Sequence, residues 1–319
     1  MIWVSNIGGN DDFIDYAHST EALQPEFAGH APVNFHAFAA ATDGTFSNRA
    51  FNADDREHKI GLVLITKRFD QVLKEIKNLK QHGLEIWVSW KECGRHQIAN
   101  TLVKPKQVDL YREILSAADK VIHASTDPAL LAGDHSVEMM TPYPVDLDAW
   151  DISIPVDDRR GVFIGTRELK VSSRNHLYAI SSALHLAIEN DTHVTVVNRD
   201  RKFGMSMLNA AFKEPIAQQQ LKIVDGRLPY LEYLNLIAKH RLVFQCDRSG
   251  VPGQVAGDTL LCRSLCIGGD SLIERNIFDI KELAAELLCN DKVYQQQIDR
   301  TQSIAMERLS FGAFRSRLE

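Results

Sequence analysis

A group of basic side chains surrounds one glycine turn of this 319-residue chain. Gly165-Thr166-Arg167-Glu168-Leu169-Lys170 follows an apolar stretch and runs on through Ser172 and Ser173 to Arg174. Glycine lets the backbone turn close to a ligand, and helix-start amides can hold a phosphate oxygen. Arg167, Lys170 and Arg174 would add charge-assisted hydrogen bonds. The competing reading is a solvated loop with ordinary basic residues. Neither GxGxxG nor GKS/T is present, so this is not a dinucleotide fingerprint or a P-loop.

A second glycine-rich stretch, Arg248-Ser249-Gly250-Val251-Pro252-Gly253-Gln254-Val255-Ala256-Gly257-Asp258-Thr259, again precedes an apolar helix. A ligand could approach Gly253 and Gln254, and Asp258 could accept two ribose hydroxyls or serve as a cap. In a third, Asp225-Gly226-Arg227-Leu228-Pro229-Tyr230, the backbone at Gly226, Arg227 and Leu228 is placed to pair with a base edge. It reads equally as a loop and an amphipathic helix, with Tyr230 and Tyr233 packing. In the first half, Gly8-Gly9-Asn10-Asp11 could shape an acceptor or phosphate pocket. Trp90-Lys91-Glu92-Cys93-Gly94-Arg95-His96 follows a strand, making His96 or Glu92 an acid/base candidate. His185, among apolar helix positions, reads as a packing residue.

The elements that must carry these groups alternate. Ile2–Val4 reads as a buried strand, and Phe13, Ile14 and Tyr16 could open a helix after the glycine pair. Val33–Ala41 could be a buried strand. Ile60–Ile65 is a strand, and Phe69, Val72, Leu73, Ile76 and Leu79 then recur at helical spacing. Leu84–Trp90 is a strand, Val108–Ala118 a helix and Lys120–Ala124 a strand. A helix should start at Ser125-Thr126-Asp127-Pro128, before a strand at Val137–Met140. In the second half, strands at 161–165, 192–197, 221–224, 242–246 and 265–268 alternate with helices at 175–188, 205–212, 228–238 and 254–263. Helices at 279–288 and 293–309 close the chain. This is the rhythm of βαβ units. The expected fold is α/β, with two Rossmann-like domains facing a central cleft. Ligands of open α/β sheets bind beyond the carboxyl ends of the strands.

Composition agrees. Hydrophobic residues make up 45% of the chain, and 36 Lys/Arg against 42 Asp/Glu leave a charge of −6. That excludes a disordered chain, and nothing suggests a broad basic nucleic-acid face. The first 150 residues hold 14 Lys/Arg and 21 Asp/Glu, the remainder 22 and 21, so an anionic ligand is expected on the second half. The start lacks a basic region and a long apolar core, and no long uncharged apolar run occurs. The expectation is a cytoplasmic protein with no integral membrane segment. Its 5 cysteines read as free thiols, mostly buried, with no metal site.

The sequence resembles the GT-B nucleotide-sugar glycosyltransferases, most strongly over about 119–290. Ala117-Ala118-Asp119-Lys120-Val121-Ile122-His123-Ala124-Ser125 resembles the strand closing an acceptor domain. Thr141-Pro142-Tyr143-Pro144-Val145-Asp146 resembles the Pro-x-x-Val-Asp crossing, and Leu228–Tyr233 through Asp258 and Ser264–Ile267 the donor half. The resemblance implies an acceptor-side domain at 1–145, a donor domain at 146–290 and a helical segment at 291–319 packing back toward the first. It implies a hexosyltransferase-like enzyme that moves a sugar from a nucleoside diphosphate sugar to a hydroxyl acceptor. That acceptor would be a saccharide, lipid-linked sugar, metabolite or modified nucleic acid.

No cofactor or metal is required by this picture. Gly165, Arg167, Lys170 and Arg174 would take the place of the family's Gly-Arg and Lys-Gly diphosphate loop, compressed and with Val171 for the second glycine. In the Glu-x7-Glu pattern of retaining members, Asp258 aligns with the second acid. The first would fall near Ser249–Gly250, where there is none. The alternatives are an epimerase-like sugar-nucleotide enzyme using Glu92 and His96, or a catalytically degenerate nucleotide-sugar-binding protein.

Overall fold

The computed structural model describes residues 1–9, 13–52, 57–92, 94–124, 135–165, 167–247, 253–268 and 281–318. The chain divides into two compact units, one of residues 1–149 with 308–319, the other of residues 150–307. Residues 291–307 group with the second unit and 308–319 with the first.

The first unit is built on a 7-stranded sheet. In chain order the strands are β1 (Ile2–Ser5), β2 (Ile14–Asp15), β3 (Thr45–Ser47), β4 (Ile60–Ile65), β5 (Glu85–Trp90), β6 (Lys120–His123) and β7 (Ser136–Glu138). They lie in the order β2-β3-β1-β4-β5-β6-β7, parallel except for β2. Parallel strands are covered on both faces, which is why β4 and β5 read as nearly unbroken apolar runs. The period of two shows in which core each residue joins. Trp3, Val63, Ile65, Ile86 and Val88 pack under α2 (Phe69–Gln81) and α4 (Pro105–Ala117). Ile2, Val4, Leu62, Leu64 and Trp87 pack under α1 (His36–Ala40), with Phe311 and Phe314 from far along the chain.

Two expectations fail at this sheet's edge. Ile14–Asp15 pairs antiparallel with β3 instead of opening a helix. The turn at Asp43, whose φ is 49°, brings Thr45–Ser47 alongside and offers Ile14 a strand partner. Residues 36–40 are helical, because Ala37, Phe38, Ala39 and Ala40 are all buried and small side chains let a helix lie close to the sheet. A short helix, α3 (Arg95–Thr101), was not anticipated. The helix start expected at Ser125–Pro128 lies outside the described residues.

The second unit has a 5-stranded parallel sheet. In chain order it comprises β8 (Val162–Ile164), α5 (His176–Glu189), β9 (Val194–Asn198), α6 (Arg201–Ala217), β10 (Leu221–Asp225), α7 (Tyr230–Ala238), β11 (Leu242–Phe244), α8 (Gln254–Leu261), β12 (Leu265–Ile267), α9 (Lys281–Cys289) and α10 (Asp291–Arg308). The strand order is β10-β9-β8-β11-β12. β8 connects outward to one side and β11 to the other, so the crevice between their carboxyl ends is a topological switch point. In the first sheet the same reversal falls between β1 and β4.

His185 is not a packing residue. Its side chain is 60% exposed and lies 3.3 Å from Glu189, because its phase on α5 faces solvent. Cys246, Cys262 and Cys266 are buried free thiols, Cys289 is exposed, and Cys93 lies outside the described residues. A last helix, α11 (Phe311–Ser316), returns to the first unit. Its opening amides at Phe311 and Gly312 donate to the two carboxylate oxygens of Asp146, at 3.0 and 2.9 Å. The Asp of the Val-Asp pair is therefore a cap for α11.

Candidate functional site

The β8–β11 switch point gathers part of the predicted donor set. Gly165 directly follows β8 and spends both backbone groups there: its amide donates to Phe244 O (3.0 Å), and its carbonyl accepts from the Tyr233 hydroxyl (2.9 Å). A Cβ on Gly165 would lie 2.2 Å from Val255 Cγ1, so the absent side chain is what lets α8 close onto the strand end. The Arg167 guanidinium sits 4.3 Å from the centroid of the Tyr233 ring, a cation–π platform on a fully buried aromatic.

Asp258 lies inside α8, four residues after Gln254, and is completely buried. The Tyr230 hydroxyl, at the start of α7, donates to its Oδ1 at 2.5 Å. Burial pushes the Asp258 carboxyl up to about 7, against the Tyr230 hydrogen bond, the Arg167 charge and the Gln254 side chain. Gly253 is the N-cap of α8, in extended conformation. Gly165, Arg167, Gly253, Gln254 and Asp258 are thus one cluster. Asp258 has no exposed surface in this structure, and Tyr230 holds its Oδ1.

The other basic residues are placed differently. Arg174 is paired with Asp247, whose carboxylate is buried just beyond β11, and it also reaches Glu168 (3.4 Å). Glu168 in turn lies 3.7 Å from Arg199. Arg174 therefore braces the two loops that leave β8 and β11. Lys170 turns away to the start of α6. Its amide donates to Asp200 (2.8 Å) and its ammonium lies over Phe203 (5.3 Å). Gly226, φ 103°, donates its amide to Asn198 O (2.9 Å) beyond the edge strand β10. Arg227 beside it is exposed and Leu228 half-buried. This turn lies two strands from β8, about 10 Å at ordinary spacing.

In the first unit a pocket of ≈ 280 Å³ opens at the β1–β4 switch point, walled by Gly8, Thr66, Arg68, Trp90, Lys91 and Glu92 among others. Gly8, φ 71°, would press a Cβ to 2.5 Å from Arg68 Nη1, so the guanidinium is seated on the glycine backbone. Gly9 stands beside it, its amide bonded to Asn6 O at 2.9 Å. Asn10 and Asp11 lie outside the described residues. Of the two acid/base candidates only Glu92 lines this pocket. His96 lies on α3, its Nδ1 buried without a hydrogen-bond partner among the described residues.

Sequence reasoning missed Tyr230 and Tyr233 as site residues, because aromatic residues three apart on a helix look like packing. It also missed Asp247, a charged residue three positions after the buried strand β11, which is a readable signal for an edge group. Among the described residues no group of three His, Cys, Asp or Glu could hold a metal ion, and no helix is long and apolar enough to cross a membrane.

Two Rossmann-like units, each with its glycine turns and charged side chains at a switch point, define the GT-B architecture. Solved structures share it over nearly the whole chain. Anabaena HepE, solved with UDP and glucose, is similar at TM-score 0.63 and 11% identity, covering 99% of this chain and 97% of that one. A glycosyltransferase from Rickettsia africae gives 0.63 and 10%, covering 99% and 96%. Sucrose-phosphate synthase from Thermosynechococcus elongatus gives 0.57 and 12%, covering 100% and 86%. No protein-family model matches the chain, and no curated protein matches it either.

Proposed function

We propose that the protein is a glycosyltransferase that moves a sugar from a nucleoside diphosphate sugar to a hydroxyl acceptor. The observation that carries this is Arg167, held on Tyr233 beside Asp258 at the carboxyl edge of β8 and β11. A fixed guanidinium there can neutralise the diphosphate as the bond from the anomeric carbon to the phosphate oxygen breaks. The acceptor oxygen forms the new glycosidic bond and gives up its proton, for which Glu92 and His96 are the first unit's candidates. Lys170 and Arg174 support the loop that carries Arg167. Gly226, Arg227 and Leu228 are the proposed base-edge contacts. The presence of UDP in the HepE structure makes UDP the first probe.

Calorimetric titration with UDP, GDP, ADP and TDP tests the proposal. At least one should bind a folded preparation, and Arg167→Ala should weaken that binding about tenfold or more. Binding by none of them sinks it. The retaining-type reading rests on the place of Asp258 alone, and NMR of the product's anomeric proton tests it.

The Tyr230–Asp258 bond favours a second reading, a nucleotide-sugar-binding protein without turnover. Tight nucleotide binding with no product from any acceptor would support it.

A further inference from the structure

The first unit carries a surplus of acidic residues, 21 Asp/Glu against 14 Lys/Arg in its first 150 positions. Among the described residues, its pocket at the β1–β4 switch point reverses that sign. Among the described residues that line it, Lys67, Arg68 and Lys91 stand against Glu92 as the acidic side chain. Neither Lys67 nor Arg68 has an acidic partner within salt-bridge distance among the described residues, so their charge is unspent. Arg68 also lies close over Gly8, where a Cβ would come within 2.5 Å of its Nη1. One wall is Trp90, held by a 3.2 Å bond from its indole to Tyr111 and by edge contact with Phe69. An aromatic wall takes the C–H face of a small ring, and Glu92 can accept from hydroxyls. The volume of ≈ 280 Å³ falls just below the usual range of ligand sites, about 300–1,000 Å³. That size fits a small molecule better than a polymer or a lipid-linked chain.

We propose that this pocket binds an acceptor that carries an anionic group, a phosphate ester or a carboxylate, received by Arg68 and Lys67 with Lys91 at the rim. This deepens the glycosyltransferase reading and rests on it for the second substrate.

The test uses the full chain with UDP-glucose as donor and matched acceptors: glucose, glucose 6-phosphate and glucuronate; glycerol, glycerol 3-phosphate and glycerate. The expected result is kcat/KM about tenfold or more higher for a charged member than for its neutral partner. The phosphate and carboxylate arms decide which anion is meant. Arg68→Gln and, separately, Lys67→Gln should raise KM for the charged acceptor about tenfold while the Kd for UDP stays within about twofold. Equal use of neutral and charged acceptors overturns the proposal, as does an equal loss on both in the variants.

If UDP does not bind, the glycosyltransferase reading has failed, and the pocket is read by itself. The Trp90 indole resonance, assigned with Trp90→Phe, is then followed during titration with glucose 6-phosphate and with glucose. A shift with the phosphate alone, lost in Arg68→Gln, upholds the anion site. No shift overturns it.

Discussion

Asp258 sets a pH dependence of its own. Its carboxyl titrates near 3.9 in an unfolded chain and is raised to about 7 in the fold, chiefly by burial. The neutral form therefore favours folding. That contribution is whole below about pH 4 and is lost as the pH rises through 7. Asp258→Asn keeps a neutral group at every pH. The variant should exceed the wild type at pH 8 by about 1–3 kcal/mol and lose most of that advantage at pH 5, read by urea unfolding at both values. If the ionised carboxylate receives ribose hydroxyls, UDP binding strengthens from pH 6 to pH 8 and Asp258→Asn flattens the difference, seen by calorimetry. That Arg167 and Asp258 would lie near one another was legible in the sequence, because both sit by glycine-rich turns that follow strands of one sheet. Lys170 read the same way but turns to Phe203, since sequence spacing fixes a residue's loop and not its direction. Tyr230 takes its meaning from Asp258, 28 positions away, and no local pattern encodes that contact.

The packing of α8 on the end of β8 is what places Asp258 beside Arg167. Gly165→Ala puts a methyl where Val255 Cγ1 lies 2.2 Å off and Val243 Cγ1 3.1 Å off. The expected outcome is a loss of about 1–3 kcal/mol and weaker UDP binding, since α8 carries Asp258 away as it yields. Arg159 ties three other pieces together. It is 2% exposed and donates to Ile154 O (3.1 and 2.8 Å), Arg263 O (2.5 Å) and the Tyr294 hydroxyl (3.4 Å). Arg159→Met should cost about 1–3 kcal/mol in chemical denaturation, because it takes the donors away from two partly buried carbonyls. Central elements such as β4, α2 and β5 were readable because they are long and bury a continuous face. The β2–β3 edge and α1 were not. Two or three residues hold no period, and a short alanine-rich run suits strand or helix until its neighbours decide.

Across the whole molecule the chain path matters more than any one contact. The second unit is continuous, and the first is interrupted by it and completed by residues 308–319. Phe314 meets Phe38 edge-on at 5.5 Å, and both Phe311 and Phe314 are buried in the first unit's core. Ending the chain at Leu309 should lower that unit's stability by about 3–5 kcal/mol while UDP binding by the second unit survives. Differential scanning calorimetry with and without UDP reads both. The two-unit layout was legible from the alternation of strands and helices, but the return of α11 was not. Its six residues carry two buried aromatics, and their partners are Asp146 and Phe38. The same detour has a consequence in time. A ribosome adding about 5–20 residues per second needs roughly 8–30 s to make positions 150–307. Through that interval Phe38 and its alanine neighbours await their cover. The second unit is thus fully synthesised before the first receives its closing segment, residues 308–319.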